Sequence, residues 1–230
     1  MLVGNDAGAA TRFLAESQRL YGTGDWKMRK TLSSLVIALM LGWAGAANAG
    51  NSANVIENFA KGVEAHRAGD YVTALHEFRE LAKQNSPLAQ FALGGMYHYG
   101  QGVAQDYVLA VKWYRLAALQ GFTVAQYSLG VMYEGGLGVT QDYADAVKWY
   151  RLAANKGDDL AQFALGLAYA QGQGVAQDFI TAHIWANIAA ASGSSPAAEL
   201  RDLVAGQMIP SQIAEAQKLA REWMEKHQTQ

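Results

Sequence analysis

The chain has 230 residues, 51% hydrophobic and 17% charged, which gives enough apolar side chain for a buried core and too little charge for a disordered chain. A formal net charge of −2 suits phosphate backbones poorly and points away from nucleic acid as a partner. The absence of cysteine excludes thiolate catalysis, disulfides, thiolate zinc sites and a cysteine-linked lipid anchor.

Residues 1–27 carry no periodic pattern and read as a disordered extension. Met28 is a better initiator than Met1, because Arg29 and Lys30 follow it directly. With Met1 as the start, the same segment gains a long charged leader. Residues 28–49 have the order of a secretory signal: a basic start, the apolar run Leu35 to Leu41, and small residues at Ala47 and Ala49. Cleavage is expected after Ala49. The run is shorter than the roughly 20 apolar residues that span a bilayer, so no integral membrane span is expected after cleavage. The mature chain is expected in the periplasm or outside the cell, and as a monomer. Removing the first 49 residues takes away five Lys/Arg and three Asp/Glu, so the remainder is more acidic still.

From residue 86 the chain matches itself at a fixed step. Asp106, Asp142 and Asp178 stand 36 residues apart, and so do Leu93, Leu129 and Leu165. Tyr97, Tyr133 and Tyr169, then Trp113, Trp149 and Trp185, keep the same step. Such self-similarity marks a repeat architecture. Each unit reads as two amphipathic helices. The first runs from about Pro87 to Tyr99, with Ser86 and Pro87 as N-cap and first helical residue. The connection Gly100 to Val103 is a loop, Asp106 caps the second helix, and Gly121 closes it. The units divide as 86–121, 122–157 and 158–193. An isolated helix pair cannot bury both faces, so the pairs must stack into an all-α α-solenoid of antiparallel helix pairs. Residues 50–85 repeat the pattern without the loop extension and form a shorter first helix pair. In the last unit Lys148 and Arg151 of the middle one become Ile184 and Asn187, so something covers that face. The cover is the tail, 194–230. It reads as two capping helices, Pro196–Val204 and Pro210–His227, the second with an apolar stripe of Ile213, Ala216, Leu219, Ala220 and Trp223.

The pattern Ala-Gln-Phe/Tyr-x-Leu-Gly-x-x-Tyr, then Gly-Val-x-Gln-Asp, then Trp and Ala-Ala, resembles the Sel-1-like repeat, a branch of the tetratricopeptide superfamily. The match is close over 87–193 and loose over 57–85. The resemblance implies a right-handed α-solenoid and adaptor work by protein–protein contact. A cysteine-rich branch associated with penicillin binding and hydrolysis does not apply to a chain without cysteine.

The three tryptophans fit core packing better than a ligand ladder. The three aspartates fit capping, since adjacent helices pack roughly 10 Å apart, too far for a shared metal or a paired acid. His66, His76, His98, His183 and His227 show no metal-ligand spacing. No cofactor is expected. Lys112, Arg115, Lys148 and Arg151 read as a solvated basic row. The partner-binding candidates lie on the first helices, which line the inner surface of tetratricopeptide-type solenoids: Phe91, Gly95 and His98; Tyr127, Val131 and Glu134; Phe163 and Leu167. The aromatic members face either a groove or the packing between repeats, whereas His98 and Glu134 mark specificity. The expected function is a non-enzymatic scaffold. A cell-wall enzyme or ligand binder, such as a β-lactam or peptidoglycan-fragment hydrolase, is the alternative, and the missing catalytic constellation counts against it.

Overall fold

The computed structural model describes residues 49–228, so the extension and nearly all of the proposed signal segment lie outside the described residues. Ten helices and no strand occur among the described residues. They divide into two compact units, 49–149 and 150–228.

The first unit begins with α1 (Ala49–Ala68) and α2 (Tyr71–Lys83), then α3 (Pro87–Tyr99), α4 (Tyr107–Leu119) and α5 (Thr123–Gly135). It ends within α6 (Tyr143–Ala154). Helices α1 and α2 are joined only by Gly69 and Asp70, whereas residues 100–106 join α3 to α4, so the first pair is the shorter version of the later ones. The expected caps form. Ser86 Oγ accepts from Ala89 N, and Asp106 and Asp142 accept from Leu109 N and Asp145 N, each at 2.9 Å. Each satisfies a backbone donor that the first helical turn leaves without a partner. The start of α5 departs from this: Phe122 holds the cap position and offers no side-chain acceptor. Gly121 takes φ +83 beyond α4 as expected, and Asn85 takes φ +63 at the same place after α2.

Packing depends on two close approaches that recur. In α2 and α4 an aromatic ring lies against a glycine of the helix before it. A Cβ on Gly62 would stand 2.7 Å from the Phe78 ring, and one on Gly94 2.4 Å from the Tyr114 ring. The loops are equally tight. Gly102 and Gly138 have φ near +70 and press on the start of the preceding second helix, where a Cβ would meet Tyr71 Cβ at 2.5 Å and Tyr107 C at 2.3 Å. Only glycine satisfies both demands. Gln105 Nε2 then ties its loop to the carbonyl of His98 (2.7 Å) and the hydroxyl of Tyr107 (3.0 Å), and Gln141 does the same with Glu134 and Tyr143. Phe59, Phe78, Leu81, Leu93 and Met96 form one core cluster; Phe91, Val111, Tyr114, Leu129 and Met132 form another.

The second unit holds the end of α6, then α7 (Asp159–Gln171), α8 (Phe179–Ala191), α9 (Ser195–Ala205) and α10 (Pro210–Gln228). Asp158 and Asp178 cap α7 and α8. Leu167, Ala170, Ala182, Ala186, Leu200 and Val204 form its core, so α9 packs where a further repeat would. Helix α10 also packs on α8, with Trp185 edge-on to Trp223 at 5.7 Å. Leu219, expected on the buried stripe of α10, is 39% exposed; Ala216 and Ala220 are the buried members.

Candidate functional site

The first-helix candidates separate by burial. Phe91 is only 7% exposed, with its ring 5.5 Å from Tyr114 and 5.3 Å from Phe122. Leu167 is 1% exposed in the core of the second unit. Neither offers surface to a partner: Phe91 packs on its own second helix and on Phe122 at the start of the next repeat, and Leu167 packs with residues of α8 and α9. Gly95 is also buried, beneath the Tyr114 hydroxyl. Tyr127, Val131 and Glu134 on α5, and His98 on α3, are half-buried in the first unit. Phe163 is half-buried in the second, packed against the Leu167 cluster.

His98 is held by aromatic rings. Its imidazole lies 4.5 Å from Tyr99, and 5.4 Å and perpendicular to Tyr107, with Tyr114 at 6.2 Å. Burial drives the Tyr114 phenol far above its ordinary range, with the neighbouring Tyr99 adding to the effect, so it stays protonated. Glu134 occupies on α5 the place that His98 occupies on α3, one step of 36 residues later, and Ala170 is the buried third member.

A second recurring feature escaped the sequence reading. Arg79, Arg115 and Arg151 donate to the hydroxyls of Tyr97 (3.1 Å), Tyr133 (2.5 Å) and Tyr169 (2.8 Å). The guanidinium of Arg115 also stands 5.7 Å over the Tyr133 ring. The basic row is therefore only partly a solvated face: its arginines tie one helix pair to the next, while Lys148 pairs with Asp145 and Lys112 is exposed. The constant Arg–Tyr offset of 18 residues was the available signal.

The remaining candidates have structural positions. Trp113 and Trp149 are half-buried against core clusters, as packing residues. His66 bonds through Nε2 to Gln101 Oε1 at 2.8 Å, and His227 stacks on Trp223 at 3.8 Å. His183 is 1% exposed on α8, and its Nδ1 has no hydrogen-bond partner. Burial, followed by Arg201, lowers its pKa. Among the described residues no group of three or more His, Asp and Glu is placed to hold a metal ion, and no helix is long and apolar enough to cross a membrane.

The comparisons agree with this geometry. The Sel1 repeat model matches residues 87–122, 123–158 and 159–194. A solved protective antigen of uropathogenic Escherichia coli strains, which displays an SLR fold, is 36% identical with a TM-score of 0.66. The match covers 76% of this chain and 38% of that one. A Sel1 repeat protein from Oxalobacter formigenes is 34% identical with a TM-score of 0.58, over 60% of this chain and 57% of the other. This chain thus spans less than two thirds of either relative. No curated protein matches it. With three consecutive Sel1 repeats on an all-α solenoid of stacked helix pairs, the chain is a Sel1-like repeat protein.

Proposed function

We propose that the chain is a non-enzymatic scaffold of the bacterial cell envelope that holds a protein or peptide along the first-helix face of its repeats. Sel1 repeat proteins are in general protein-interaction scaffolds. The observation that carries the finer reading is the contrast at two adjacent positions. Tyr97 and Tyr133 are identical and pinned by Arg79 and Arg115, whereas the next residue is His98 in one repeat and Glu134 in the other, half-buried in both. The frame is held constant while an accessible position changes its chemistry, an arrangement suited to setting specificity.

In the first unit the contact residues are His98, Tyr127, Val131 and Glu134. Phe91 and Gly95 support them from the core. In the second unit Phe163 takes the corresponding place above Leu167. Export rests on the charged start, short apolar run and small residues of segment 28–49.

The test is a crosslinking pull-down with the full chain beside Glu134→Lys and Tyr127→Ala variants of unchanged helical content. A partner retained by wild type and weakened by about tenfold or more in both variants is the expected result. A partner bound equally by all three would remove this face from the account.

A further inference from the structure

A different face of the first unit carries the clearest unexplained surface. The outer side of α4 exposes Val108 (64%), Leu116 (38%) and Leu119 (70%), with Lys112 and Arg115 between them. Their spacing of three and four residues sets them on one stripe. Arg115 reaches the Tyr133 hydroxyl, and Lys112 makes no ion pair with a described residue.

The chain shows what such a stripe accepts. At the position of Leu116 the later repeats have Leu152, 47% exposed, and Ile188, only 3% exposed. Ile188 lies on α8, the one second helix followed by α9 and α10, and both pack on it. Ile184 and Asn187, in the places of the exposed Lys148 and Arg151, are half-buried too. In the second unit the outer side of a second helix is thus covered by amphipathic helices. One of them, α10, buries Ala216 and Ala220 and sets Trp223 against Trp185.

We infer that the outer stripe of α4 is a docking site for an amphipathic helix of a partner protein, one whose apolar stripe is flanked by Asp or Glu. Leu116 supplies apolar contact, as Ile188 does on α8, and Leu119 extends the stripe past the covered part of α8, where its counterpart Ala191 is exposed. Lys112 and Arg115, absent from the covered face of α8, select acidic flanks and disfavour basic ones. A second copy of this chain docking α4 on α4 would bring Lys112 and Arg115 of one copy against the same two cations of the other. An anionic bilayer is the weaker match, because the chain as a whole carries −2 and the basic stripe is one helix wide. This face lies on α4, apart from His98 on α3 and Val131 and Glu134 on α5, so a scaffold with both contacts can bridge two partners.

The test titrates the full chain into a labelled peptide of residues 210–228 bearing Lys218→Glu, Arg221→Glu and Lys226→Glu, with a counterpart bearing Glu215→Lys, Glu222→Lys and Glu225→Lys, and reads fluorescence anisotropy. The acidic peptide should bind at least about tenfold more tightly than the basic one, and Lys112→Glu and Leu119→Ser should each remove about that factor. Glu134→Lys should leave the affinity unchanged. Both α4 substitutions are at exposed positions, and circular dichroism verifies folding. Binding that ignores the α4 variants, or no binding of the acidic peptide, overturns the inference. So does co-sedimentation with vesicles of phosphatidylglycerol and phosphatidylcholine that is lost in Lys112→Glu, which would assign the stripe to a membrane.

Discussion

Two adjacent glycines in the middle of α3 should respond to the same substitution with opposite signs. A Cβ added at Gly94 would stand 2.4, 2.6 and 3.1 Å from three ring carbons of Tyr114, where ordinary contact begins at 3.4 Å. Tyr114 is 3% exposed and sits in a packed cluster, so its ring must retreat by about 1 Å into side chains already in contact. Overpacking of this kind costs about 1–3 kcal/mol or more, against roughly 1 kcal/mol gained when alanine replaces glycine inside a helix. Gly94→Ala should therefore lower stability by about 2 kcal/mol. At Gly95 the nearest atom is the Tyr114 hydroxyl oxygen at 3.9 Å, an ordinary contact, so the helix gain stands alone. Gly95→Ala should raise stability by about 0.5–1 kcal/mol. Urea unfolding followed by circular dichroism measures both, with the slope checked for constancy across variants, since repeat proteins can lose cooperativity. Gly94→Ala in a Tyr114→Leu background should cost less, because the planar ring is the obstacle. Equal effects at the two glycines, or an unchanged penalty in the leucine background, would refute the packing argument.

Other consequences can be read by thermal or urea unfolding across pH. Burial, with some repulsion from Asp159, raises the Asp158 carboxyl from 3.8 to about 6, although Ala161 N donates to it at 2.8 Å. A raised carboxyl pKa means that the native state holds a proton the unfolded chain has released, so stability falls as pH rises from about 4 to 6. Asp158→Ser, which keeps a cap oxygen as Ser86 does, should be more stable than wild type above pH 6 by about 1–3 kcal/mol, a gap that closes near pH 4. His183 shows the opposite dependence. Its lowered pKa lets the unfolded chain take up a proton first, so wild type should lose stability as pH falls below the ordinary histidine value of 6.5. His183→Val, matching Val111 and Val147, should reduce that loss and also remove the buried Nδ1 that lacks a partner. Asp106→Ala, removing the acceptor for Leu109 N, should cost about 1 kcal/mol, whereas Asp106→Asn should cost little.

The repeat helices, the Asp caps and the Gly121 closure were legible because each depends on local signals that recur at a fixed step, and the two tail helices because Pro196 and Pro210 mark their starts and an apolar stripe runs along the second. Burial on the first helices was not. Sequence identity at Leu93, Leu129 and Leu165 marks the core plainly, but Phe91 and Leu167 could face either a groove or a neighbouring element, and periodicity cannot separate two apolar contacts on one helix. Phe91 is buried because Phe122, which takes an N-cap position, turns its ring inward against it. The Arg–Tyr bonds were missed because they join residues 18 apart on different helices, outside any helical spacing. Asn85 was missed as well, since its positive φ occurs where every later repeat uses glycine.

The most direct test of the scaffold account is photocrosslinking from Val131 and Glu134 on α5, with the exposed Glu80 on α2 as control and a photoreactive phenylalanine analogue at each position of the full chain. Adducts formed from 131 and 134 are identified by mass spectrometry and re-formed with the purified partner. The account predicts one discrete partner adduct from both α5 positions, absent at position 80 and lost when unlabelled wild-type chain competes. Adducts that are equal at all three positions, or that withstand competition, would contradict it.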